Sequence, residues 1–172
     1  YAESFPERCT GLVLRGIFLA SSREIEWFMT GMRNVFPEAW DRFASFLPAD
    51  ERGDLLGSYH RRLVDTDPAV NGPAAAAWDA YESDCVTLLP RAEGPAAFDS
   101  DATALAIARI EAHYFVHQGF LAEGELLGNI HRIEHLPCTI VQGRYDVVCP
   151  PVTAHALARA WLAIDDAKPA PK

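Results

Sequence analysis

Several things are scarce in this chain, and each scarcity removes a class of function. No apolar run approaches the roughly 20 residues that a membrane-spanning helix needs. Basic residues are outnumbered, 15 Lys and Arg against 24 Asp and Glu, for a formal charge of −9. A surface of that sign repels phosphate backbones and anionic headgroups, and no basic cluster tracks a nucleic acid. Neither nucleic acid nor a membrane is therefore expected as a partner. The cysteines are few and scattered: Cys9, Cys85, Cys138 and Cys149, with no C-x-x-C pair. They read as free thiols in a reducing cytoplasm. The opening residues, YAESFPERCT, lack the basic start and apolar core of a signal peptide, and read as the end of a helix. None of the seven serines (Ser4, Ser21, Ser22, Ser45, Ser58, Ser83, Ser100) lies in G-x-S-x-G, the turn that exposes a nucleophilic hydroxyl.

What is present is ordinary for a globular protein: 172 residues, 49% apolar and 23% charged. GLVLRGIF (11–18) is an apolar run with hardly a polar break, which predicts a buried strand. Ser21-Ser22 and Glu24 then mark a helix start, with the helix running through REIEWFMTGMRNVF. Pro37 opens a second helix and Pro48 closes it. PADERGDLLGSYHRRLV predicts a third, with Leu55, Leu56, Tyr59 and Leu63 on one face. DTDPAVNGP predicts a loop. AAAAWDAYESDCVTLL predicts a fourth helix, PRAEGPAAF a second loop, and DSDATALAIARIEAHYFV a fifth helix capped by Asp99 or Ser100. GELLGNIHRI is a short sixth. A strand over 138–142, a turn at Asp146, a helix PVTAHALARAWL and a frayed polar tail complete the reading.

Two parallel-type strands thus bracket a long helical stretch. Two buried strands cannot cover their own faces, so the pattern predicts an α/β fold with a helical insertion between two strands of a larger sheet. Unpaired strand edges at 11–18 and 138–142 make self-association an expectation.

Four features offer chemistry. Asp146 falls at the C-terminal end of a strand, where open α/β sheets keep their sites, though an acid after a strand also serves as a turn former. HRIEH (131–135) has the spacing of a zinc pair, but Pro137 ends its helix at once and no third ligand is evident. Glu82 stands near Trp78, Tyr81 and Cys85, and Glu111 precedes His113-Tyr114-Phe115. Read alone, each is a solvated helix glutamate. A carboxylate among aromatics is costly unless a cation meets it.

Together these segments resemble the prolyl aminopeptidases (proline iminopeptidases), α/β-hydrolases with a helical cap. The segments that carry the resemblance are LVLRGIF (12–18), EWF (26–28), FPEAW (36–40), YHRRL (59–63), AWDAYE (77–82), ARIEAHYFV (108–116), HRI (131–133) and GRYDVVCP (143–150). The resemblance implies core at 1–20, cap at 21–135, and core strand, Asp146 loop and helix at 136–172. It implies a Ser-Asp-His triad acting on peptides with an N-terminal proline, without a cofactor. Asp146 takes the place of the triad acid, which orients the base histidine without taking its proton. The family's serine elbow and base histidine have no counterpart here: His155 comes too early and lies on a helix. Glu82 and Glu111 take the place of the glutamates that hold the cationic proline nitrogen. Phe18, Phe115 and Cys149 match the apolar slot for its ring, and Phe28 stands where the family often has a tyrosine. Arg15 and Arg144 read as structural ties. The chain is expected to be inactive alone; the other reading is a non-catalytic, cap-like binding module.

Overall fold

A computed structural model describes residues 1–87 and 101–165. The predicted loop PRAEGPAAF, the Asp99 or Ser100 cap and the polar tail beyond 165 lie outside the described residues. The chain divides into two compact units. One comprises residues 1–21 and 122–172, the other residues 22–121.

The first unit is built on two parallel strands, β1 (Leu12–Arg15) and β2 (Cys138–Val141), paired Leu12 to Cys138 through Arg15 to Val141. Parallel neighbours require a crossover connection, and here the whole second unit lies within it. β1 is shorter than the sequence predicts. Gly16, at φ 61°, turns into the left-handed region open to glycine and ends the strand. The expectation of strands buried on both faces is also corrected. Leu12, Leu14 and Ile140 are half-buried, whereas Val13 and Val141 point into solvent. Only one face of this pair is covered among the described residues. On that face, Ile17, Ile130, Ile133, Leu136, Ala154 and Leu157 form the core. The N-terminal stretch holds a 3-10 turn, Pro6–Arg8, rather than the end of an α-helix.

The second unit is helical: α1 (Ser22–Met29), α2 (Pro37–Ser45), α3 (Leu55–Leu63), α4 (Pro68–Cys85) and α5 (Asp101–Val116). The first predicted helix is interrupted. It stops at Met29, and residues Gly31–Asn34 form a separate 3-10 turn. The larger correction is at DTDPAVNGP, expected as a loop, where α4 already runs from Pro68 with Pro73 inside it. Asp67 caps this helix by accepting the Ala69 N–H, and Pro68 occupies the first turn, where an N–H has no partner anyway. Pro73 removes one further bond early in the helix. Burial of Ala74, Ala75, Trp78, Tyr81 and Cys85 along one face outweighs that loss. Likewise Asp54 caps α3 by accepting the Gly57 N–H. Ser58, buried in α3, receives Arg61 and is no nucleophile candidate.

An aromatic stack fills this unit. Phe43 of α2 lies between Tyr59 (centroids 4.3 Å) and Tyr81 (4.4 Å), with Trp78 edge-on at 5.8 Å. Both tyrosine hydroxyls are satisfied by backbone: Tyr59 donates to Phe43 O and Tyr81 to Phe28 O, each at 2.8 Å. Gln118 donates to Ser22 Oγ at 3.2 Å, joining the two ends of the unit.

In the first unit, α6 (Glu125–Gly128) is followed by a 3-10 turn, Ile130–Arg132, and α7 covers Pro151–Asp165. His131 and His135 are therefore not one α-helical turn apart. Among the described residues, no group of three His, Cys, Asp or Glu is arranged to hold a metal. No helix among them is long and apolar enough to cross a membrane.

The stack predicts a large penalty for emptying its centre. Phe43→Ala should cost about 3–5 kcal/mol, read as a lowered urea midpoint with an unchanged slope.

Candidate functional site

The helical unit brings four of the predicted residues together. Glu82 on α4 and Glu111 on α5 face each other across two packed helices. Phe28 of α1 and Phe115 of α5 meet edge to face at 5.3 Å, and both lie against Trp78, at 5.6 and 6.2 Å. The expected slot tyrosine is thus a phenylalanine ring packed among other rings. Neither glutamate is the solvated helix residue that its sequence position suggests. Both are mostly buried, and burial is the first reason their carboxyls hold protons more tightly than usual.

The second reason is mutual. Each glutamate lies within the other's field, and Asp79, one turn before Glu82, adds a third negative group. Two carboxylates at such range cannot both ionise cheaply. The Trp78 indole N–H donates to Glu111 Oε2 at 2.8 Å and favours the charge there. Glu82 has no such donor and is pushed up to about 7, so it carries the proton and donates it toward Glu111. Its Oε2 is buried and unpartnered, as is Asp79 Oδ1. A buried polar atom without a partner costs about 1–3 kcal/mol. No cation is among the groups that act most strongly on either carboxyl. The arrangement is an anionic, aromatic-walled position with hydrogen-bonding capacity to spare. It suits a small cation with N–H donors and apolar flanks.

The other predicted residues belong to the strand unit. Asp146 lies in the turn after β2, half-buried. Its Oδ1 accepts the Cys149 N–H at 2.9 Å and its Oδ2 accepts Gln142 Nε2 at 3.2 Å. Gln142 also donates to Cys149 O at 2.8 Å and accepts the Ile17 N–H at 3.3 Å. One amide side chain therefore ties the end of β1 to the Asp146 turn and fixes the carboxylate. Phe18 and Cys149 are both half-buried, and Phe18 follows directly on Ile17. Arg15 and Arg144, expected as structural ties, are both exposed. His155 lies on α7 and is exposed.

Sequence reasoning missed Trp78 as a donor, Asp79 and Gln142. Asp79 had a readable signal: it precedes Glu82 by three residues and shares its helix face. Gln142 had only its place beside the Gly143-Arg144-Tyr145-Asp146 turn. A separate cavity of about 350 Å³ between α2 and α4 is lined by Arg42, Phe43, Phe46, Tyr81 and Asp84 among others. It includes none of the predicted site residues.

The acid pair sets a pH dependence. Glu82 binds its proton more tightly folded than unfolded, so between its ordinary 4.5 and about 7 the folded chain holds the extra proton. Its contribution to stability is full below 4.5 and is lost as pH rises through 7. Glu82→Gln should remove this slope and raise stability at pH 8 by about 1–2 kcal/mol, allowing for solvent screening of a partly exposed group. Urea midpoints of both forms from pH 4.5 to 8 check it.

No protein-family model matches the chain. Curated proteins do match it. The proline iminopeptidase of Arabidopsis thaliana is 44% identical over 164 residues, 94% of this chain and 43% of that protein. A probable proline iminopeptidase of Leptolyngbya boryana is 44% identical over 162 residues, 93% of this chain and 50% of the other. The proline iminopeptidase of Xylella fastidiosa (strain Temecula1) is 45% identical over 163 residues, 94% and 52% respectively. The chain spans about half the length of the curated relatives it matches. By sequence, along nearly all of its own length, this chain is similar to the proline iminopeptidases.

Proposed function

We propose that the chain carries the substrate-selecting pocket and the triad acid of a serine aminopeptidase that releases N-terminal proline from peptides. The observation that carries the reading is the Glu82–Glu111 pair: largely buried, bonded to Trp78, which packs on Phe28 and Phe115, and met by no cation among the described residues. A secondary ammonium offers two N–H donors and a positive charge. Its pyrrolidine ring offers flat apolar faces to the aromatic wall. Charge-assisted hydrogen bonds of this kind contribute about 1.5–3 kcal/mol each. Phe18 and Cys149, which belong to the strand unit, keep in this reading the apolar-slot role that the resemblance implies. Asp146 is the acid that would orient a base histidine, its carboxylate already held in place by Gln142 and the Cys149 N–H. Hydrolysis needs a nucleophilic serine and a base histidine, and this chain has neither at a family position. On its own it binds but does not turn over. The parent fold is an α/β-hydrolase, with the helical unit as its cap.

A second reading has its own support. Asp146 makes the hydrogen bonds of an ordinary turn former, with both oxygens engaged locally. A cap-like module that binds a cation without catalysis fits that equally well.

Calorimetry of the 172-residue chain with prolinamide should show weak, saturable binding, lost by at least tenfold in Glu111→Gln, while chromogenic proline amides stay intact. No binding removes the pocket from both readings. Turnover that survives Asp146→Ala refutes the role given to Asp146. Sedimentation should show concentration-dependent association through the strands that expose Val13 and Val141.

A further inference from the structure

Asp79 is the least explained member of the acidic group. It stands on α4 three residues before Glu82, and its Oδ1 is buried with no hydrogen-bond partner. It acts on both glutamates of the pair. Among the described residues, no ion pair engages it. On the elements packed around it, the described arginines are committed elsewhere, and His60 of α3 lies against His113 and His117 of α5. Arg42 of α2 pairs with Asp84 at 2.6 Å. Arg62 of α3 pairs with Glu51 at 2.6 Å, and Arg61 lies 3.6 Å from Glu51. Arg109 of α5 donates to the carbonyls of Leu63 and Asp65. What α1 and the end of α5 present to the pair is neutral, Phe28 and Phe115. The pair is therefore governed by burial, by its two members, by the Trp78 N–H and by Asp79.

We propose that Asp79 is a positioning residue that strengthens the hold of the Glu82–Glu111 pair on its one proton, the proton that capture of an ammonium ion expels. The proposal rests on reading the pair as a cation pocket. With Asp79 in place, the empty pair keeps one proton between its two carboxyls. When the ammonium enters, that proton leaves to solvent and the ligand keeps its own. One positive charge replaces another, so the buried net charge is unchanged and the desolvation cost of a second bare carboxylate is avoided. Asp79 acts through Glu82 and Glu111 and need not touch the ligand. The consequence is selectivity by charge: a neutral ring of the same shape cannot displace the proton and gains no foothold.

The test has two arms in the full chain. In the first, ¹³C-labelled glutamate carboxyls are titrated by NMR without ligand, with Glu82→Gln used for assignment. Asp79→Asn and Asp79→Ala should both lower the Glu82 midpoint, by about half a pH unit or more. Two variants of different shape separate charge from packing. An unmoved midpoint in both overturns the role of Asp79. In the second, prolinamide affinity is measured from pH 5 to 8. It should rise about tenfold per pH unit below the Glu82 midpoint and flatten above it, with the bend moved to lower pH in both variants. A flat profile overturns the exchange. A shifted midpoint with no binding at any pH overturns the cation-pocket reading instead, so the two failures are told apart.

Discussion

Two largely buried carboxyl groups set against each other, with no cation between them among the described residues, are the constraint around which the helical unit is arranged. Such a pair is unfavourable in isolation. Burial strips both groups of part of their water, like charges meet, and one oxygen of Glu82 has no partner. The unit tolerates it through a shared proton and a single donor, the Trp78 indole at 2.8 Å from Glu111. That donor is available because Trp78 is locked in the aromatic stack on Phe43, Tyr59 and Phe28. Packing thus positions the electrostatics: the rings that give the unit its stability also hold the indole N–H that favours charge on Glu111.

The strand unit follows the same logic with different parts. Gln142 accepts the Ile17 N–H and donates to Asp146 and to Cys149 O. The end of β1, the end of β2 and the Asp146 turn are joined by one side chain. In the role proposed for it the Asp146 carboxylate has to be held in place, and Gln142 and the Cys149 N–H hold it. Each unit carries one half of the proposed chemistry: cation capture in the helices, orientation of a base at the strand ends.

The parts of this arrangement that local sequence encodes were legible. The apolar runs around Leu12–Arg15 and Cys138–Val141 announced two parallel-type strands, and the spacing of Leu55, Tyr59 and Leu63 announced the buried face of α3. The start of α4 was not legible, because Pro68, Asn71, Gly72 and Pro73 are turn-forming residues. Their local preference yields to the burial of Ala74, Ala75 and Trp78 further along the same helix. The strand faces were misread for the opposite reason. Val13 and Val141 have the composition of core residues, yet the described chain lays nothing over them. The glutamate pair could not be read from spacing at all, since α4 and α5 bring together residues far apart in sequence. Their aromatic neighbours made each a candidate, and the likeness of AWDAYE and ARIEAHYFV to a known family paired them. Asp79 was within reach through its spacing from Glu82, but the burial of its Oδ1 is reported by no local pattern.

The central claim is that the empty pair stores a proton and trades it for a cation. Calorimetry of prolinamide binding at pH 6, repeated in buffers of different ionisation enthalpy, counts the protons exchanged. The account predicts release of close to one proton per ligand bound, because at that pH Glu82 is still mostly protonated. Binding with no proton released would contradict it.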